Sequence, residues 1–265
     1  MNSFRIISAK ICVKICVHLR ETSYIFTEVF QPAKKQKNMR KEMYLIRGNA
    51  KEDYGHFANR MLQSAKMTAE IIKPAALKIT LTQQPPPKIS VIPFRKSKIA
   101  VLSVYKDDHA KVDYLMKTEG FAGAFTVEEA LPVSYEKNWP DGQPTPGVCL
   151  LTLFHRKPGI DYDNFLNRWH NGHTPLSLKL HPLWNYNRNV VVQKICDKPD
   201  WYDGIVEEQT RTRSELLNPF KFFGNALEIA SNMISVYRDT RSFLDYKRIE
   251  TYLATEYHIV SNQGL

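Results

Sequence analysis

Apolar and polar residues alternate with two different periods along this chain, one typical of β-strands and one typical of amphipathic helices. In the first half, short apolar segments predict four strands, at residues 42–47, 78–82, 99–105 and 125–135. Apolar positions at helical spacing predict a helix over residues 51–72, which Pro74 ends. The pair Asp107 and Asp108 can cap a second helix that runs to Thr118. The first half therefore has the predicted order β-α-β-β-α-β.

The second half repeats this order. Its predicted strands cover residues 148–155, 184–192, 205–212 and 249–260, and its predicted helices cover residues 161–180 and 225–240. The order β-α-β-β-α-β is that of a ferredoxin-like fold. The pattern therefore predicts an α+β protein built from two ferredoxin-like repeats.

A short motif supports an internal duplication. Residues 53–60 read DYGHFANR and residues 161–168 read DYDNFLNR, so five of eight positions are identical at an offset of 108 residues. Both copies lie at the start of a predicted helix. Repeated motifs at equivalent places in two halves indicate repeated structural units.

A segment rich in proline and glycine, residues 137–147, separates the two halves. We therefore expect a first, degenerate repeat at residues 43–136 and a second repeat at residues 148–265. Helices cover one face of a four-stranded sheet, and the other face would otherwise expose an apolar patch. We expect the two repeats to pack sheet to sheet as an intramolecular α/β barrel, whose interior is either a core or a pocket.

Residues 1–42 precede this pattern and form a basic extension. Residues 1–43 hold nine Lys or Arg and three Asp or Glu, so they contribute +6 of the chain's net charge of +10. The extension fits a disordered tail or an over-extended start, for a protein that is otherwise cytoplasmic. A mitochondrial presequence is the alternative, because the first twenty residues carry four basic residues and no acid.

Composition and motifs argue against several classes of protein. No apolar run is long enough for a membrane span, and a charge of +4 over the remaining residues is weak support for nucleic-acid binding. The four cysteines form no CxxC pair, which disfavours a disulfide framework or a structural zinc site and favours a reducing, intracellular protein. No glycine-rich nucleotide-binding motif is present.

The second half resembles the EthD family of the dimeric α/β-barrel superfamily over about residues 148–260. The residues that carry this resemblance are RKPG at 156–159, FLNRW at 165–169, HTPL at 173–176, Tyr186, Asn189, DGI at 203–205 and EYHIV at 256–260. The resemblance implies a compact barrel around a small, often aromatic, ligand. It also implies cofactor-independent oxidation, decarboxylation or cyclisation of an aromatic or polyketide-like compound, with neither a cofactor nor a metal.

The expected partner is accordingly a small aromatic or hydrophobic ligand, with a homodimer left open and neither nucleic acid nor membrane expected. A non-catalytic barrel that binds a ligand or serves as a scaffold is the alternative function. In the first half, Ala65 stands at the position that corresponds to His173, and the HTPL segment is missing. The resemblance therefore implies one site in the chain, not two.

His173 is the candidate catalytic residue. It continues a helical stripe through Phe165 and Trp169 that faces the sheet, where a neutral imidazole could remove a proton from an acidic phenol or an activated carbon. The alternative is a core histidine bonded to a backbone carbonyl. His170, three residues earlier, either shares an edge of the helix with His173 or faces solvent.

Further residues are candidates for substrate binding: Trp169, Tyr186, Asn189, His155 and His170. Tyr186 and Asn189 are an odd number of residues apart on one strand, so they face opposite sides of the sheet and at most one lines the barrel interior. His155 and His258 could point into the barrel. Trp169 is either a pocket wall or plain core. Asp203 and Glu207 share a face of the third strand and are interpreted as solvated charges.

Overall fold

The computed structural model describes residues 39–107, 112–198 and 201–261 as one closed barrel of eight antiparallel strands. The strands are β1 (Met39–Arg47), β2 (Ala76–Leu81), β3 (Ile99–Asp107), β4 (Phe121–Val133), β5 (Val148–Phe154), β6 (Asn185–Lys194), β7 (Gly204–Thr210) and β8 (Glu250–Val260). Around the barrel they follow the order β1-β3-β2-β8-β5-β7-β6-β4, and β4 returns to β1. Closure leaves these eight strands without an open edge.

Helices cover the outside of the barrel. They are α1 (Tyr54–Ile72), α2 (Tyr162–Asn167), α3 (Thr174–Leu180), α4 (Arg213–Leu217), α5 (Pro219–Phe222) and α6 (Ile229–Phe243). A π-helical segment, Arg168–His173, joins α2 to α3, so these three pieces form the single long helix that the sequence predicts over residues 161–180. No helix in the described ranges is long and apolar enough to cross a membrane.

The repeated motif has the same structural role in both halves. Asp53 caps α1 by accepting a hydrogen bond of 2.9 Å from the backbone N–H of His56, and Asp161 caps α2 by accepting one of 2.8 Å from Asn164. The shared phenylalanine, Phe57 in one half and Phe165 in the other, is fully buried in each. Asp is favoured at this position because its side chain satisfies a free N–H of the first turn.

Each half contributes four neighbouring strands to the barrel. The orders are β4-β1-β3-β2 in the first half and β8-β5-β7-β6 in the second, which match position for position. The expected intramolecular barrel is confirmed, since the inner faces of the two sheets share one apolar cluster, and the sheet edges also hydrogen-bond: β2 pairs with β8, and β4 pairs with β6. The two sheets are therefore parts of one continuous barrel wall.

Other expectations change in detail. The barrel begins at Met39, four residues before the expected start at residue 43, and Lys41 and Glu42 are already buried. The prediction of a second helix in the first half is wrong for the residues that are described. Residues 112–118 contain a 3-10 turn at Leu115–Lys117 instead. The extension is predicted to be a disordered tail, an over-extended start or a presequence, and its residues before Met39 lie outside the described residues.

Apolar side chains form separate clusters inside and outside the wall. The interior cluster includes Met43, Phe125 and Leu151 from both halves. Outside, α1 packs on the first half, and the helices of the second half pack around Trp169 and Phe243. The rest of the interior is polar. The inner face of the wall is therefore partly polar, whereas the clusters on its outer face are apolar.

Candidate active site

His173 lies outside the barrel, in the helical layer over the second half. It ends the π-helical segment, in which the N–H of Thr174 bonds to the carbonyl of Trp169, five residues earlier. Such widened turns are rare and frequently occur at functional sites. The widened turn leaves both Trp169 and His173 in contact with the same space above the sheet.

Two polar side chains hold the His173 ring. Its Nδ1 lies 2.7 Å from Oδ2 of Asp239 on α6, and its Nε2 lies 3.1 Å from Oγ of Ser177, one helical turn later. A carboxylate can accept but not donate, so in the neutral ring Nδ1 carries the proton and Nε2 accepts from the Ser177 hydroxyl. The ring is therefore fixed in the tautomer that has a basic nitrogen at Nε2. The alternative of a bond to a backbone carbonyl is absent from the described contacts of His173.

This imidazole borders a cavity of about 150 Å³ between the helices and the outer face of the sheet. We call it the helix–sheet pocket. Its walls are mainly apolar and include Phe154, Trp169, Tyr186, Phe222, Phe243 and Leu244. The ring of Phe243 lies 5.6 Å from that of His173, centroid to centroid. An apolar lining with a few converging polar groups is a feature of small-molecule sites, but about 150 Å³ lies below their usual range of about 300–1,000 Å³.

Two ionisable groups that sequence reasoning did not single out also face this pocket: His181, whose pKa burial lowers to about 4, and Glu208. The Glu208 carboxyl makes no hydrogen bond with the described residues, and burial raises its pKa to about 7, against a small opposing effect of His173. The pocket therefore combines a histidine with a carboxyl group that changes its protonation state near neutral pH. The signal in the sequence was the adjacent pair Glu207–Glu208 directly after the apolar residues Ile205 and Val206.

Two of the candidate substrate-binding residues lie in the pocket. Trp169 and Tyr186 are both about 1% exposed, and Trp169 Nε1 donates a hydrogen bond of 3.4 Å to the Tyr186 hydroxyl. Burial raises the pKa of Tyr186, so the phenol stays neutral at physiological pH. These two residues form a neutral wall beside His173.

Three other candidates lie elsewhere. Asn189 faces the barrel interior, where its Oδ1 accepts a hydrogen bond of 2.7 Å from Lys41 Nζ. His155 is buried, with its ring beside Tyr202, and burial lowers its pKa. His170 is half-buried, and burial together with Arg188 lowers its pKa to about 4. His170 does not face solvent as the alternative interpretation expected, and it does not line the helix–sheet pocket.

The pair His170 and His173 has no third metal ligand in the part of the chain that the structure describes, where no group of three His, Cys, Asp or Glu side chains is placed to hold an ion. Asp203 and Glu207 are buried, so their interpretation as solvated charges is wrong. Ala65, the first-half counterpart of His173, lies in a filled apolar cluster with Met61. The first half thus has no equivalent ionisable group at this position.

Comparisons with known proteins support the fold. No family model matches the chain, and no curated protein matches its sequence. Among solved structures, the chain is similar to an anthrone oxidase-like protein, with 9% sequence identity, a TM-score of 0.55, and coverage of 86% of this chain and 96% of that one. This likeness shows the α/β-barrel fold. A candidate monooxygenase from Fusobacterium nucleatum has a TM-score of 0.45 at 10% identity, with coverage of 85% and 95%.

Proposed function

We propose that the helix–sheet pocket binds a small aromatic compound and that His173 acts as the general base of a cofactor-independent oxidation. The observation that carries this proposal is the Asp239–His173 pair at the wall of an apolar pocket that also contains Glu208. The fold of an anthrone oxidase-like protein is consistent with it. As part of the same proposal, the second half is EthD-like, and the barrel arose from two ferredoxin-like repeats.

In this mechanism, Nε2 of His173 takes the proton from a phenol or from a ring methylene next to a carbonyl. The Ser177 hydroxyl occupies this nitrogen in the free protein, so it must rotate away when the substrate binds. Asp239 keeps the ring oriented and stabilises the imidazolium that forms. The resulting carbanion then reacts with dissolved dioxygen, so that a CH₂ group becomes C=O and water is released.

Glu208 would assist at the other side of the pocket. Below about pH 7 its carboxyl is protonated and can donate a hydrogen bond to an oxygen of the substrate. Trp169 and Tyr186 exclude water and provide rings against which an aromatic compound can pack. A neutral, apolar enclosure strengthens the interaction of the few polar groups with the reacting atoms.

Oxygen consumption by the full chain with anthrone as the probe tests this proposal. His173→Ala should lower turnover by about 10²–10⁴-fold, the usual contribution of a general base. His170→Ala is the matched control, because this neighbouring histidine on the same helix does not line the pocket; its turnover should match that of the wild type. Circular dichroism checks that both variants fold.

The alternative function is a non-catalytic barrel that binds a hydrophobic ligand. If anthrone binds but neither the wild type nor the variants consume oxygen above the uncatalysed rate, the alternative is correct. A homodimer stays a prediction. The barrel does not require one, since both of its halves come from a single chain.

A further inference from the structure

A second cavity, of about 860 Å³, opens at one end of the barrel. We call it the barrel-mouth cavity. It shares no lining residue with the helix–sheet pocket, and its size lies within the range of small-molecule sites. Its floor and walls include Lys78, Tyr105, Glu129, Tyr135, Asn187 and His258.

Buried ions surround the floor of this cavity, and carboxylates outnumber ammonium groups. Lys41 Nζ lies 2.7 Å from Glu129, while Lys78 Nζ lies 3.0 Å from Glu256 and 3.7 Å from Glu207. Although burial opposes ionisation, Lys41 and Lys78 lower the pKa of Glu129 to about 2, and Lys78 holds the pKa of Glu256 well below its usual range. Three carboxylates therefore face two ammonium groups.

The rim continues this excess of negative charge. Lys137 pairs with Asp141 at 2.9 Å, and Glu136 adds a further carboxylate at the rim. His258 also faces the cavity, where its Nε2 lies 2.7 Å from the Tyr135 hydroxyl. The fixed charges around the cavity therefore oppose an anion and favour a cation.

Hydrogen-bond acceptors at the floor lack donors. Oε1 of Glu129 accepts from Lys41, Tyr105 and Asn187, at 2.7, 2.7 and 2.6 Å, whereas Oε2 accepts from none of the described residues. Asn187 is 1% exposed, and its Oδ1 has no partner in the structure. Its amide orientation is fixed, because its NH₂ group donates to a carboxylate. Both vacant positions are acceptors, so a ligand here must donate hydrogen bonds.

Three other interior atoms of the described residues have no hydrogen-bond partner, Ser103 Oγ, Glu207 Oε2 and Gln209 Nε2, and they belong to residues that do not line the cavity. Aromatic rings do line it. Tyr105 and Tyr135 form part of the wall, and behind Tyr135 lie Trp139 and Trp184, with ring centroids 5.0 and 4.9 Å away. Aromatic faces next to carboxylates favour organic cations over small hydrated ions.

From these observations we propose that the barrel-mouth cavity binds an organic amine, whose primary ammonium group donates hydrogen bonds to Glu129 Oε2 and Asn187 Oδ1. This site lies on the opposite face of the barrel wall from His173, and it does not depend on the proposed oxidation.

Calorimetric titration of the full chain with tyramine and with tyrosol tests this proposal. The two compounds have the same carbon skeleton, but tyrosol carries a neutral hydroxyl in place of the ammonium. Tyramine should bind at least about tenfold more tightly than tyrosol, because hydrogen bonds between charged groups are the stronger ones. Equal affinities of tyramine and tyrosol would overturn the proposal. Two further amines, agmatine and spermidine, serve as additional probes, and the proposal is also wrong if none of the three amines binds.

Variants of two adjacent glutamates locate the site. Glu129→Gln should weaken tyramine binding by about tenfold or more, while Glu128→Gln, on the exposed face of the same strand, should leave it unchanged. Glu129→Gln leaves Lys41 buried without its carboxylate. The double variant Lys41→Met with Glu129→Gln removes the whole pair and should fold, since apolar replacement of a buried ion pair is often tolerated. It should show the same loss of affinity.

A comparison with the other pocket separates the two proposals. His173→Ala should leave the tyramine affinity within about twofold of the wild type, and Glu129→Gln should leave anthrone turnover unchanged. If His173→Ala abolishes tyramine binding, the amine occupies the helix–sheet pocket and the barrel-mouth site is wrong. The proposed oxidation can fail in its own assay without affecting this result.

Discussion

Two adjacent carboxylates on β7 face different environments across the barrel wall. Glu207 points into the barrel, where it accepts a hydrogen bond from Thr80 and lies 3.7 Å from Lys78 Nζ. Glu208 points outward into the helix–sheet pocket and has no hydrogen-bond partner among the described residues. Successive side chains of a strand alternate between its two faces, so one dipeptide places an acid in the barrel interior and another in the helix–sheet pocket.

The raised pKa of Glu208 predicts a pH dependence of stability. Burial raises this pKa from 4.5 to about 7, so the folded protein keeps a proton that the unfolded chain loses. The free energy of unfolding should therefore fall as the pH rises from about 4.5 to about 7, by about 3 kcal/mol in total, and remain low above that range. Glu208→Gln should remove this loss.

Urea unfolding at pH 5 and pH 8 measures this effect. The stability of Glu208→Gln relative to the wild type should be greater at pH 8 than at pH 5, by about 2 kcal/mol. Glu128→Gln, at an exposed position, controls for the loss of a negative charge. An equal difference at both pH values would show that Glu208 is ionised in the folded protein throughout this range.

Asp239 should matter for turnover more than for binding. Asp239→Asn keeps the size of the side chain but cannot stabilise the imidazolium that the proposed mechanism forms on His173. We expect kcat for anthrone to fall by about tenfold or more, with KM little changed. A parallel loss of ligand affinity in calorimetry would instead indicate that Asp239 holds the pocket open.

At the level of elements, the contact between β7 and the π-helical segment shapes the pocket. Gly204 begins β7 directly beneath the ring of Trp169. A Cβ at this position would lie 2.4 Å from Phe154 Cζ and 2.7 Å from Trp169 Cη2. Helix and sheet approach each other this closely because residue 204 has no side chain.

Gly204→Ala should therefore destabilise the protein by about 1–3 kcal/mol, the usual cost of overpacking a core, and should weaken ligand binding in the helix–sheet pocket. Gly172→Ala is the matched control, because its Cβ would meet only Asp239 Oδ1, at an ordinary distance of 3.7 Å. Thermal unfolding compares the two. If Gly204→Ala is no less stable than Gly172→Ala, the π-helical segment and the sheet can move apart without loss of stability.

At the scale of the whole molecule, the two halves share both a hydrogen-bonded wall and buried or partly buried ion pairs. Lys78 on β2 bonds to Glu256 on β8, 178 residues away, and Arg47 on β1 lies 3.1 Å from Glu250. The interior apolar cluster also takes side chains from both halves. Neither half can lose its structure without exposing the other's edges and leaving charges unpaired.

We therefore expect residues 39–261 to unfold in a single cooperative transition. All four tryptophans lie at or beyond residue 139, so their fluorescence reports on the linker and second half, while far-ultraviolet circular dichroism reports on both halves. The two signals should give the same urea midpoint. Two separate midpoints would show that the halves fold independently, despite the strand pairs that join them.

The sequence by itself predicted most of the elements and three residues that line the helix–sheet pocket, His173, Trp169 and Tyr186. The strands, α1 and the long second-half helix follow from periodicity, and the caps follow from Asp53 and Asp161, because these signals act within a few residues of each other. His173 was singled out by its helical spacing together with the resemblance of its HTPL segment to the EthD family. The tertiary structure decided how the sheet edges join, that Glu207 and Glu208 are buried, and that Asp239 on a distant helix orients His173. Pairing between such distant segments depends on how the whole barrel closes, and local patterns of side chains contain no information about that closure.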